Sequence, residues 1–273
     1  MKVFTSLDWI TLVLFFVGLG YIIWRVINQK QDSPEQYFLA GRNLGWFVIG
    51  ASIFASNIGS EHIVGLAGTA ANSGMVMGHY ELHSWIILLL GWFFVPFYLN
   101  STVFTMPEFL EKRFSESSRW ILTIITLVSY VLTKVSVTVY AGAVVFETLL
   151  GIDFWTGAII VVIVTGLYTI LGGLNAVIYT DTIQMFLLLG GSILVTIFGL
   201  NEVGGWGNMV AASGDGFMSL WRTASHPEYP WTAILFGAPI LGIWYWCTDQ
   251  FIVQRVLAAE NESVARKATI FAG

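Results

Sequence analysis

The chain is 273 residues long, 56% hydrophobic and only 11% charged, with a formal net charge of −5. A water-soluble domain carries about 25% charged residues, so too little charge is present to cover a surface facing water, and lipid is the expected outer solvent. The negative balance leaves no basic footprint for nucleic acid, and the single cysteine, Cys247, excludes an internal disulfide and a cysteine-based metal cluster.

Seven apolar runs near membrane-crossing length follow in order, at about 9–27, 45–66, 81–98, 120–149, 154–171, 176–199 and 232–253. They predict an all-α polytopic membrane protein whose residues 1–273 form a single transmembrane domain. The first run is too long for a signal peptide, lacks a small-residue cleavage site, and has Arg25 and Lys30 after it, so it reads as a retained span.

The second run holds Ala55-Ser56-Asn57-Ile58-Gly59-Ser60-Glu61-His62 at mid-membrane. A carboxylate at that depth costs about 2.5–3.5 kcal/mol unless it faces a partner or a wet cavity. Small and polar residues around Gly59 predict a helix broken between Ala55 and Ser60, whose freed carbonyls are hard oxygen ligands suited to Na⁺. Close helix–helix packing is the plainer reading, but it does not account for Glu61 and His62. These two are expected to point in different directions on a helix, which makes them a poor acid–base pair. No H-E-x-x-H, G-x-S-x-G or phosphate-binding glycine loop occurs elsewhere, and the chain is not expected to be an enzyme.

In the third run Glu81 and Ser84 share a face at i, i+3, a carboxylate beside a hydroxyl that suits solute hydroxyl groups. Glu81 lying in water at the outer interface is the alternative. His79 and His83 show no convincing metal-ligand spacing. Residues 107–114 read as a short amphipathic helix opened by Pro107. Lys134 in the fourth run, and Asp181 with Gln184 in the sixth, are further buried polar groups that interhelical ion pairs would explain. Residues 200–230, rich in Gly and Ser, form the longest connection and leave open a surface helix or an outer lid. The seventh run is interrupted by Gly237-Ala238-Pro239 and Gly242, and Pro239 is expected to kink it. Trp244-Tyr245-Trp246 follows, either as an interfacial belt or as a platform and gate for a solute.

Orientation comes from the basic residues between runs. Nine (Arg25, Lys30, Arg42, Lys112, Arg113, Arg119, Arg255, Arg266 and Lys267) fall on one side, against two, Lys2 and Arg222, on the other. This places the N-terminus outside and the C-terminus in the cytoplasm.

Laid out this way, the chain resembles the sodium/solute symporter family, nearest its sodium/glucose and inositol branch. The matching stretches are Tyr37-Phe38-Leu39-Ala40-Gly41-Arg42, residues 55–62, residues 105–114, Thr133-Lys134-Val135-Ser136, Tyr179-Thr180-Asp181 and Trp244-Tyr245-Trp246-Cys247-Thr248-Asp249-Gln250. The resemblance implies a LeuT-like inverted-repeat fold: a leading helix, a first five-helix repeat and the first helix of the second, with residues 263–273 approaching an eighth span. It implies Na⁺-coupled uptake of a sugar or polyol across the plasma membrane, with no organic cofactor. A membrane solute sensor, or a non-transporting fragment packed on another membrane protein, is the competing reading. By resemblance Ala55 and Ile58 offer carbonyls to sodium, and Asp181 stands at a carboxylate linked to coupling. His62, Glu81 and Ser84 fall at sugar contacts, Tyr245 at an inner gate and Trp246 beside it. Gly242 departs from the polar side chain usual in the sugar branch. Assembly into a homo-oligomer is left open.

Overall fold

The structure, a computed structural model, describes residues 5–28 and 33–273. Among these no β-strand forms, and one isolated parallel bridge joins Leu44 to Ala259. In chain order the helices are α1 (Ser6–Ile27), α2 (Pro34–Leu39), α3 (Trp46–Asn57), α4 (Glu61–Ser73), α5 (Met75–Asn100), α6 (Met106–Arg113), α7 (Glu116–Leu150), α8 (Phe154–Glu202), α9 (Trp206–Ala212), α10 (233–248), α11 (Gln250–Leu257) and α12 (Glu262–Ala272).

Four of these, α1, α5, α7 and α8, are long and apolar enough to cross a membrane, and α3 with α4 qualifies as a fifth across a 50° bend. At 1.5 Å per residue, 49 residues of α8 would extend about 74 Å, more than twice a ~30 Å hydrocarbon core. The helix is broken at Gly173, with φ 55° and ψ −156°, which divides it close to where the fifth and sixth runs were expected to separate. That conformation is open essentially to glycine alone. The seventh run is also divided: α10 stops at Thr248, Asp249 is extended, and its carboxylate accepts the Phe251 N–H to start α11.

Large apolar side chains cover the outside. None of the apolar window of α7 is buried, and Ile121, Ile125, Leu132 and Val137 all stand exposed. Such a face is untenable in water and ordinary in lipid. Inside, Ile49, Ile53, Ile86, Ile87, Leu90, Ile252 and Leu257 form the main core. Residues 262–272 form α12, which lies against α3. Gly50 permits that approach, because a Cβ there would collide with Phe271 and the Ala268 carbonyl.

Local chemistry sets the helix ends. Thr5, Ser33, Thr105, Ser115, Asp153 and Asn261 each accept a backbone N–H of the helix they begin. The expected short helix after Pro107 is α6, capped by Thr105. Pro96 and Pro239 each follow a wide, π-wound turn, Leu90–Phe94 and Ala233–Gly237. A proline ring crowds the carbonyl a turn earlier, and the widened turn makes room for it.

The Tyr37–Arg42 stretch works as a clasp. Ala40, Gly41 and Arg42 all have positive φ, turning the chain so that Arg42 donates to the Val103 and Leu257 carbonyls and pairs with Glu35. It thereby joins the α2, α6 and α11 ends of the molecule.

Arg255, expected among the loop charges, is instead buried. Its guanidinium lies 3.4 Å from Asp181 and 2.9 Å from the Ser52 hydroxyl, which itself donates to Asp181 at 2.6 Å. Removing it from the count leaves eight basic residues against two, and of these Lys30 and Lys2 lie outside the described residues.

Two outcomes follow for stability. Gly173→Ala should lower the melting temperature by the equivalent of roughly 1–3 kcal/mol, and an unchanged melt would show that the break tolerates a side chain. Arg255→Leu strands a buried carboxylate and should destabilise by about 3–5 kcal/mol, with Asp181→Asn in the same protein recovering part of the loss. Melting curves in nanodiscs read both; equal melts for the single and double variants would remove the pair from the stability of the fold.

Candidate functional site

The site begins at the end of α3. Ile58 is extended (φ −109°, ψ 96°), and the chain re-enters a helix after Gly59 in a different direction. This is the break predicted between Ala55 and Ser60. Carbonyls of a helix's last turn, here including Ala55, have no intrahelical donor, and Ile58 lies beyond the ladder. Asn57 bends back to donate to the Ile53 carbonyl at 2.6 Å, which points its own carbonyl oxygen at the Tyr245 hydroxyl. The Glu61 carboxylate folds over Gly59, where a Cβ would displace it.

A cavity of about 510 Å³ opens beside the break. His62 and Ile58 reach it from the broken span, Glu81 and Ser84 from α5, and Tyr245 and Trp246 from α10. His62 Nε2 lies 3.6 Å from Glu81 and its Nδ1 lies 3.8 Å from Glu61. The expectation that Glu61 and His62 diverge is corrected here, since both line the cavity. Glu61 opens the helix after the break, and its carboxylate folds back over Gly59 to within reach of the His62 ring. One Glu61 oxygen is buried with no protein partner. Glu81 lines the cavity with a side chain that is 51% exposed.

Two aromatic rings form one side of the cavity. Tyr245 and Trp246 meet edge to face at 5.2 Å. Behind Tyr245, the Lys134 ammonium lies 4.8 Å from its ring centroid and 2.9 Å from Asp249, which Tyr130 also holds through its hydroxyl. Lys134 and Asp181 thus both sit in interhelical ion pairs. Gly242 lines the cavity too, where a Cβ would strike Ile86, so this position has no room for a polar side chain without repacking.

Two named residues stand apart. Ala55 is buried against Met185 in the α3–α8 contact, and Asp181 turns to Ser52 and Arg255. Neither lines the cavity. Residues that sequence reasoning did not assign are Asn57, Glu61 and Asp249. The first two were visible as polar groups at mid-span; the third was hidden by its place near a span's end.

On the far side of α5, the connection 200–230 carries α9 and then docks on the start of α5. The Leu220 carbonyl lies 2.6 Å from His79 Nε2, Trp221 packs at a tilt against that ring with centroids 4.6 Å apart, and Arg222 donates to the Ser73 carbonyl. His79 is thereby accounted for without a metal, and no metal-binding group of His, Cys, Asp and Glu occurs among the described residues.

The pattern of the sodium:solute symporter family matches residues 37–272. Sodium/glucose cotransporter 1 of Oryctolagus cuniculus is 41% identical over 289 residues, covering 97% of this chain and 44% of that protein. Sodium/myo-inositol cotransporter 2 of Bos taurus is 40% identical, covering 97% and 42%. The chain therefore spans less than half the length of these relatives. A solved structure of a Na⁺-coupled sialic acid symporter, in a substrate-bound outward-open state, superposes with a TM-score of 0.84 at 23% identity, over 95% of this chain and 55% of that one. That likeness shows the fold, a LeuT-like transporter architecture, as the sequence implied. With the match running from Tyr37 through α12, the chain belongs to the sodium:solute symporter family.

Proposed function

We propose that the protein couples Na⁺ entry to inward movement of a small polar solute, a hexose or polyol, across the plasma membrane. The observation that carries this reading is convergence: five polar or aromatic side chains from three separate segments meet at one cavity beside a helix broken in mid-span. His62, Glu81 and Ser84 supply hydrogen-bonding groups for hydroxyls, a carboxylate giving the stronger bonds. The Tyr245 and Trp246 rings present flat apolar faces to the C–H surface of a sugar. Ala55 and Ile58 carbonyls offer hard oxygen ligands for sodium where the helix is interrupted. Asp181, one turn from Ala55 along the α3–α8 contact, tunes that region through Ser52 and Arg255.

In this reading seven crossings place the N-terminus outside and the C-terminus in the cytoplasm. Sodium then enters with the membrane potential, which adds about 2.3 kcal/mol per charge per 100 mV. The relatives named for glucose and myo-inositol favour a polyhydroxylated solute. Coupling then rests on differential binding of sodium and solute to two alternating states, with the solute held near the midplane.

Glu81→Ala should weaken binding of labelled D-glucose by about 10-fold or more while leaving the melting temperature within a few degrees, because an acceptor for hydroxyls is lost. Unchanged affinity would return Glu81 to the outer interface. Tyr245→Ala removes the hydroxyl held by Asn57 and opens the cavity wall; sugar counterflow in proteoliposomes should quicken while sodium binding persists. A lower melt with normal counterflow would make Tyr245 a packing residue only.

A further inference from the structure

Two ion pairs lie behind the cavity, and one ring separates them. Phe251, at the start of α11, has the Lys134 ammonium 4.8 Å from its centroid and the Arg255 guanidinium 4.5 Å from it. Its backbone is bound to the same two pairs. The N–H donates to Asp249 at 2.9 Å, and the carbonyl accepts from Arg255 at 2.6 Å. Lys134 is the partner of Asp249, and Arg255 is the partner of Asp181.

The geometry points to Phe251 as a positioning residue that couples the cation region at Asp181 to the cavity wall at Tyr245. This rests on the symport reading above. The contacts form a continuous path. Asp181 holds Arg255, Arg255 covers Phe251, Phe251 meets Lys134, and Lys134 lies 4.8 Å from the Tyr245 ring. Tyr245 then closes the path onto α3 through Asn57, and Ser52 on the same helix closes it at the other end through Asp181. Each cation is attracted by the negative face of the aromatic ring, and the ring is rigid. A shift of Arg255 toward or away from Asp181 therefore changes what Phe251 offers Lys134. An aliphatic side chain would fill the same space and transmit none of this, since it has no π system and so no quadrupole to attract a cation.

The test compares wild type, Phe251→Leu and Phe251→Tyr in nanodiscs, measuring labelled D-glucose affinity with sodium chloride and with choline chloride. The ratio of the two affinities is the coupling factor, and sodium affinity with and without glucose must return the same factor. Phe251→Leu should reduce that factor by about 5-fold or more while the sodium-free affinity stays within about 2-fold; Phe251→Tyr, which keeps the ring, should restore it. If Phe251→Leu does not fold, Phe251→Met, unbranched and of similar reach, is judged by the same ratio. An unchanged coupling factor, or an equal loss of affinity in both salts, overturns the relay and leaves symport standing. A wild-type affinity that ignores sodium overturns the symport reading, and the relay falls with it.

Discussion

A backbone amide left bare in hydrocarbon costs several kcal/mol, and the interruption at Ile58 and Gly59 places such groups in the middle of a span. It is tolerated only where the chain lines a wet cavity or supplies partners. Much of the surrounding architecture does one or the other. Asn57 ties the last turn of α3 to itself and to Tyr245, Glu61 folds over Gly59, and His62 brings the next turn toward Glu81. The cavity is thus less a gap between helices than the consequence of one helix that stops and restarts.

The same rule explains the pairing of charges. Lys134 and Arg255 find carboxylates on other segments, and each is further covered by an aromatic face. Buried pairs of this kind add little net stability compared with well-packed apolar residues, but removing one partner is costly. Their value is in fixing which segments meet. Asp249 illustrates the point: it ends α10, begins α11 and receives Lys134 from α7, so a single carboxylate sets three elements.

Much of this was legible in the sequence. Uniform apolar runs gave the long helices, and small polar residues around Gly59 gave the break. The match to a known family gave the six residues that meet at the cavity. What was not legible had physical causes. Counting positive charges treats every arginine near a span's end as solvated, and Arg255 carries no mark of its burial until Asp181 is brought beside it. The divergence expected of Glu61 and His62 assumed an unbroken helix, and Glu61 stands at the restart, where its carboxylate turns back over Gly59 toward His62. Likewise, the apolar run through 232–253 hid the stop at Asp249, because its neighbours on both sides suit a helix equally well.

The wide turn at Trp244–Thr248 has its own significance. The Asp249 N–H bonds to the Trp244 carbonyl five residues back, so this turn holds one residue more than an α-helix would. An extra residue in a turn offsets the side chains on its two sides by about one residue's angular step, roughly 100°, relative to a regular α-helix. The direction from which Tyr245 meets the cavity is therefore set by the width of this turn as well as by its place in the sequence.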